Sequence, residues 1–157
     1  MKRAGRVMTS SGSRHRGREA ALCMLYQQEL SGDSIERVIA AYFEGRLAEP
    51  PLAAASRSFA ERLARGVSLR KEEVDRLIRA GSIHWRLERM AVVDRNVLRL
   101  ALFELLDEPD TPAAVILDEA VELAKLFGGP ESGAFVNGVV DGIRKQLDDG
   151  TLVRSPS

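Results

Sequence analysis

The residues best equipped for chemistry in this chain are cations, and they crowd its beginning. Lys2, Arg3, Arg6, Arg14, Arg16 and Arg18 all precede the first acid, Glu19. The whole chain balances 23 Lys and Arg against 23 Asp and Glu, so setting those six aside leaves 17 basic residues against 23 acidic ones. A neutral protein with a segregated basic leader is built to meet phosphate. Arg14, Arg16 and Arg18 fall in the first turns of an expected helix, where the helix dipole prefers anions. Cations placed against that preference point to an anionic partner. Guanidinium groups also supply flat surfaces, and single-stranded RNA requires both a cationic track and planes on which bases stack. Arg16 and Arg18, two apart, project in different directions, so with Arg14 they would embrace a backbone and not form one flat face. A second cluster lies near the end of the chain. Phe127 and Phe135 flank Gly128-Gly129-Pro130, Ser132 and Asn137 offer polar edges, and the helix expected there presents free N–H groups attractive to phosphate.

Other chemistries find little support. The two histidines, His15 and His84, are far apart and Cys23 is the single cysteine, so no zinc-ligand spacing and no internal disulfide is available. Gly128 to Gly133 has the glycine spacing of a phosphate-binding loop. However, Ala134-Phe135 occupy the places of its Lys and Ser/Thr, and a helix precedes it where a strand belongs. Asp118-Glu119 and Glu122 read as a solvated helix face more readily than as a general-acid pair. No enzyme, cofactor or metal is expected. No apolar run approaches the roughly 18 residues of a membrane span. The basic start lacks the apolar stretch of a secretory signal, which leads us to expect a cytoplasmic protein.

The elements that must position these residues are helical. Apolar residues recur at helical spacing and no segment alternates with the period of a strand. Residues 1–13 read as a disordered basic tail, with Ser13 capping a helix over 14–31. Asp33 and Glu36 resemble a capping box for a second helix. Pro50-Pro51 marks a break, a third helix follows near 53–67, and Ser68 is the expected cap of a fourth, which ends at Gly81-Ser82. Trp85, Leu87 and Met90 suggest a short turn and 92–107 a strongly amphipathic helix. Thr111-Pro112 opens a helix to about Phe127, and a last helix covers 131–148, on which Gly138 and Gly142 suggest close helix–helix approach. The fold class is all-α: about seven helices in two packed three-helix-type bundles. The expected division is a tail 1–13, an N-terminal bundle 14–82, a C-terminal bundle 83–148 and a flexible tail 149–157.

Four stretches together resemble the NusB family, in the family's order. They are Arg14-His15-Arg16-Gly17-Arg18-Glu19-Ala20-Ala21-Leu22 with Leu25-Tyr26-Gln27; Trp85-Arg86-Leu87-Glu88-Arg89-Met90 followed by Asp94 to Ala101 and Phe103-Glu104-Leu105; Pro112 with Leu117 to Lys125 and Phe127-Gly128; and Ser132 with Phe135-Val136-Asn137-Gly138-Val139-Val140-Asp141. The resemblance implies an all-α fold and partnership with NusE, a ribosomal protein of the small subunit. It also implies binding of boxA, a short single-stranded RNA signal. With other Nus factors and the elongating RNA polymerase, such a complex suppresses termination, notably on ribosomal RNA operons, without catalysis.

Carried over residue by residue, the RNA-contact role falls on Arg14, His15, Arg16, Arg18, Phe127, Ser132, Phe135 and Asn137. Asp94, Arg95 and Glu104 fall on the expected protein-partner surface. Plainer roles compete: Phe135 shares a helical stripe with Val139 and could be core, Phe127 could plug the helix end, and Trp85 is expected to pack within the bundle. The chain departs from the pattern at Ala134, where the family often has a basic residue, and at His15, where arginine is common. Two other functions compete: a purely structural helical adaptor or homodimer, and an RNA-targeting module related to RNA cytosine methyltransferases. The latter is disfavoured by the lack of room for a cofactor-binding α/β fold.

Overall fold

Residues 10–45 and 51–154 are described by the computed structural model. They form α1 (Ser10–Ser31), α2 (Ile35–Glu44), α3 (Ala54–Leu69), α4 (Lys71–Gly81), a 3-10 turn (Leu87–Arg89), α5 (Val92–Asp107), α6 (Ala113–Gly128) and α7 (Pro130–Asp148). The described residues are thus all-helical, with no strand. Lys2, Arg3, Arg6 and Pro50 lie outside them.

Several boundaries differ from the sequence expectation. Ser13 does not cap α1, which is already helical at Ser10. Arg14 to Arg18 therefore sit a turn inside the helix, beyond the strongest reach of the terminal dipole. The cap of α2 is Ser34, whose hydroxyl accepts from the Arg37 N–H at 3.3 Å. Ser68 caps nothing at a helix start, since α3 runs through it to Leu69 and α4 follows Arg70. Pro112 is itself the residue flanking α6. Gly129, at φ +93°, adopts a backbone that side chains resist, which ends α6; Pro130, with its preset φ, starts α7 immediately.

Helix α5 is the hub of the core, not an amphipathic surface helix. Val97, Leu98, Leu100, Ala101, Leu102, Phe103 and Leu106 are buried around most of its circumference, the pattern of a helix enclosed by others. It packs against α1, α3, α4, α6 and α7. One apolar cluster runs through α1, α3, α4, the 3-10 turn, α5, α6 and α7, and a smaller one built on Met24, Val38, Ile39 and Tyr42 joins α1, α2 and α3. The crossing of α3 over α5 is close because Gly66 has no side chain: a Cβ there would lie 2.1 Å from Phe103 Cζ. The close-approach role expected of Gly138 and Gly142 is not observed, since a Cβ at either position would meet nothing within 4 Å. Cys23 is partly buried beside the smaller cluster.

Beyond α7 the chain folds back onto the bundle. The Leu152 N–H donates to the Gln146 carbonyl, Arg76 donates to the Val153 carbonyl, and Arg154 to that of Leu106. Of the segment expected to be a flexible tail, residues 149–154 are held this way and 155–157 lie outside the described residues.

Candidate nucleic-acid interface

The cationic helix and the aromatic corner occupy two ends of one helical flank. Arg18 near the start of α1 pairs with Glu104 near the end of α5, while Glu29 near the end of α1 pairs with Arg95 near the start of α5. The two helices are therefore antiparallel. Helix α6 returns alongside, and His15 and Arg18 reach Glu119 on it at 2.8 and 3.5 Å. Phe127 lies eight residues further along α6, about 12 Å at 1.5 Å per residue.

The basic residues of α1 stand in four different situations. Arg18 is a core residue: its side chain is 3% exposed, as is that of Glu104. Its Nε and Nη2 donate to the two carboxylate oxygens of Glu104 at 2.8 and 2.7 Å, the bidentate geometry that suits guanidinium to carboxylate. Burial alone would lower the Arg18 pKa, but the Glu104 hydrogen bonds and the charges of Glu104, Glu119 and Glu108 outweigh it and hold the pKa above its ordinary value. This overturns two expectations. Arg18 cannot reach RNA without breaking the pair, and Glu104 is not on a partner surface. An acid inside the otherwise apolar run Leu100 to Leu106 was the signal, because a buried carboxylate demands a cation.

Arg14, one turn earlier, stacks over the same Phe59 ring as Arg18 (4.7 and 5.3 Å to the centroid) and lies 3.4 Å from Thr111 Oγ1 and 3.8 Å from Glu108. It remains substantially exposed. His15 lies between Glu119 and Glu19, at 2.8 and 3.4 Å. Arg16, partly exposed, makes no ion pair among the described residues. Gly17 permits this arrangement, since a Cβ there would be 2.9 Å from the Phe59 ring.

At the other end, Phe127 in the last turn of α6 is 42% exposed. The Ser132 hydroxyl donates to the Gly128 carbonyl at 3.3 Å, closing the end of α6. Phe135 is half-buried, with its ring centroid 5.5 Å from that of Trp85 and the planes at 80°. Asn137 is exposed on α7. Val136, Val139 and Val140 carry the buried stripe of that helix, which leaves Phe135 on its margin. Trp85, expected to pack inside, is 59% exposed.

Asp94 and Arg95, at the start of α5, lie at this same end. Asp94 lines a groove with Trp85 and Phe135, and its Oδ1 is buried without a hydrogen-bond partner. Arg95 is turned inward: it pairs with Glu29 and donates to the Met90 carbonyl at 2.7 Å. Glu29 also accepts from Arg99 at 3.0 Å and Asn96 at 3.3 Å, while Arg99 grips Asp75 through two bonds of 2.8 and 3.2 Å. Burial alone would raise the Glu29 pKa, but the hydrogen bonds from Arg95 and Arg99 overcome it and hold the carboxyl below its ordinary value. This network joining α1, α4 and α5 was not foreseen. Among the described residues there is no group of three or more His, Cys, Asp or Glu able to hold a metal, and no helix is long and apolar enough to cross a membrane.

Comparison with known proteins places this geometry. Residues 15–145 match the sequence profile of the NusB family. The transcription antitermination protein NusB of Sorangium cellulosum is 52% identical over 136 residues, covering 87% of this chain and 94% of that one. NusB of Myxococcus xanthus is 43% identical, covering 87% and 98%. Among solved structures, T. maritima NusB superposes with a TM-score of 0.76 at 36% identity, covering 88% of this chain and 97% of that one. A chain from a crystal structure of the antitermination factors NusB and NusE in complex with double-stranded RNA gives 0.75 at 26% identity, covering 86% and 98%.

Proposed function

The chain belongs to the NusB family, and from that premise we propose that it is a transcription antitermination factor that binds boxA-type single-stranded RNA together with NusE. It acts without catalysis, in the cytoplasm, as a joint between nascent RNA, the ribosomal protein, other Nus factors and the elongating RNA polymerase. The observation that carries this reading is the near-complete overlap with proteins named for antitermination, at 52% identity over 87% of the chain.

The residue arrangement supports it. The bundle of residues 14–82 presents Arg14, His15 and Arg16, and the bundle of residues 83–148 presents Phe127, Ser132, Phe135 and Asn137, with α6 running between the two sets. A strand following that flank meets charge at one end and aromatic surface at the other, the two ingredients of unpaired-RNA recognition. Protein partnership falls to the end of the molecule where Asp94 lies. Arg95 serves there by fixing the start of α5.

The test is a titration of labelled boxA RNA with and without NusE, over a range of salt. Neutralising about three phosphates gives a slope of log affinity against log salt near −2, at about −0.7 per single-strand contact. Binding of a scrambled strand, or of a duplex, as tight as that of boxA in the presence of NusE would overturn the reading.

A further inference from the structure

The 3-10 turn Leu87–Arg89 adds two arginines, so far unassigned, to the groove between Trp85, Asp94 and Phe135. Residues three apart on such a turn lie on one face. Leu87 and Met90 point inward and are buried, which leaves Arg86 and Arg89, also three apart, together on the solvent side. The acid between them is taken: Glu88 lies 2.7 Å from Arg79. Arg86 and Arg89 make no ion pair among the described residues, whereas most of the other described arginines are paired with carboxylates. Beside them, the edge-on contact with Phe135 pins the Trp85 indole while more than half of its surface stays open. Trp85, Arg86, Arg89, His84, Asp94 and Phe135 line one groove of about 600 Å³. Asp94 is its one carboxylate, so the two arginines leave it with a positive excess. Phe135 belongs both to this groove and to the α6–α7 corner, so the two surfaces are continuous.

An indole held in place, two uncompensated guanidiniums and a groove of nucleotide dimensions suit one kind of occupant. We propose that this groove is a nucleotide subsite: one unpaired base of a bound RNA strand stacks on Trp85, and Arg86 and Arg89 hold the phosphates that flank it. The subsite extends the RNA track past Phe135, and it rests on the RNA-binding reading above.

Trp85 is the single tryptophan of the chain, so its emission reports on the groove alone. The experiment titrates the full chain with a 3′-labelled boxA-type single strand and reads label anisotropy and Trp85 emission together. The expected result is saturable quenching of Trp85 with the same midpoint as the anisotropy change. W85A should weaken binding about tenfold, the usual scale for loss of one stacking platform. The R86A/R89A double variant should flatten the salt slope by about 1.4, two contacts at about 0.7 each. These arginines lie on the solvent face of the turn, so the double variant decides the matter even if W85A melts early. Anisotropy that saturates while Trp85 emission stays constant, with R86A/R89A keeping the parent salt slope, would overturn the subsite and leave the proposed function standing. Absence of RNA binding by the parent, with NusE as well as without it, would overturn both.

Discussion

Replacing Glu104 by alanine tests most directly whether Arg18 serves the fold or the RNA. Both side chains are 3% exposed and share two hydrogen bonds of 2.7 and 2.8 Å, so E104A strands a guanidinium inside the bundle. Removing one partner of a buried pair costs about 3–5 kcal/mol. Glu119 remains 3.5 Å from Arg18, which places the loss near the lower end. For a domain of this size about 3 kcal/mol lowers Tm by roughly 6–12 °C. It removes a large fraction of the roughly 5–15 kcal/mol that holds an ordinary domain folded. Replacing both members with apolar residues of similar volume, R18M/E104M, leaves no stranded charge and should be near neutral. The assay pairs urea unfolding with RNA titration. E104A should unfold early, and R18M/E104M should fold normally and bind RNA within about twofold of the parent, a difference below roughly 0.5 kcal/mol. A folded R18M/E104M protein that had lost tenfold in RNA affinity would show that Arg18 touches RNA, and the burial argument would fail.

Three other outcomes follow from the same geometry. F127A should weaken RNA binding by the roughly 1–3 kcal/mol of a lost base–aromatic stack while changing Tm little, because the ring is 42% exposed; anisotropy and a thermal melt on one preparation check both halves. G66A should cost about 1–3 kcal/mol, since its Cβ would overlap the Phe103 ring, whereas G138A, in open space on a helix, should stabilise by about 0.5–1 kcal/mol; chemical denaturation separates the two signs. Glu29 is held below its ordinary 4.5 by Arg95 and Arg99, so its contribution to stability is complete above that value and disappears as the pH falls through the lower value of the folded protein; unfolding free energy measured from neutral into acid pH should lose less in E29Q than in the parent, and equal losses would refute the assignment.

Much of the fold was legible because helices announce themselves through spacing and punctuation. The limits of α5, expected at 92–107 from apolar spacing, are those observed, and the break between α6 and α7 follows from a glycine that needs positive φ and a proline that fits a first turn. Cap positions were less legible. Ser13, Asp33 and Ser68 are all good capping types, but α1 is already helical at Ser10, Ser34 caps α2 in place of Asp33, and α3 runs through Ser68 to Leu69. The same limit applied to charge. A line of arginines at positions 14, 16 and 18 looks uniform in sequence. Helical geometry turns Arg18 toward Glu104, seats Arg14 on Phe59 and leaves Arg16 outward. Trp85 erred in the other direction: its size suggested burial, but the 3-10 turn spends its inward positions on Leu87 and Met90, which leaves the indole outside. Such sorting depends on residues distant along the chain, and periodicity does not carry that information.

The Arg18–Glu104 pair spans 86 residues of sequence. At a synthesis rate of about 5–20 residues per second, the ribosome needs roughly 4–17 seconds to deliver the carboxylate after the arginine. Until then the first helix cannot give its inward cation the bidentate partner that it has in the folded protein. Early in synthesis the first three helices can cover one another's apolar faces, but the guanidinium that faces inward from the first of them waits for its carboxylate until the fifth is made.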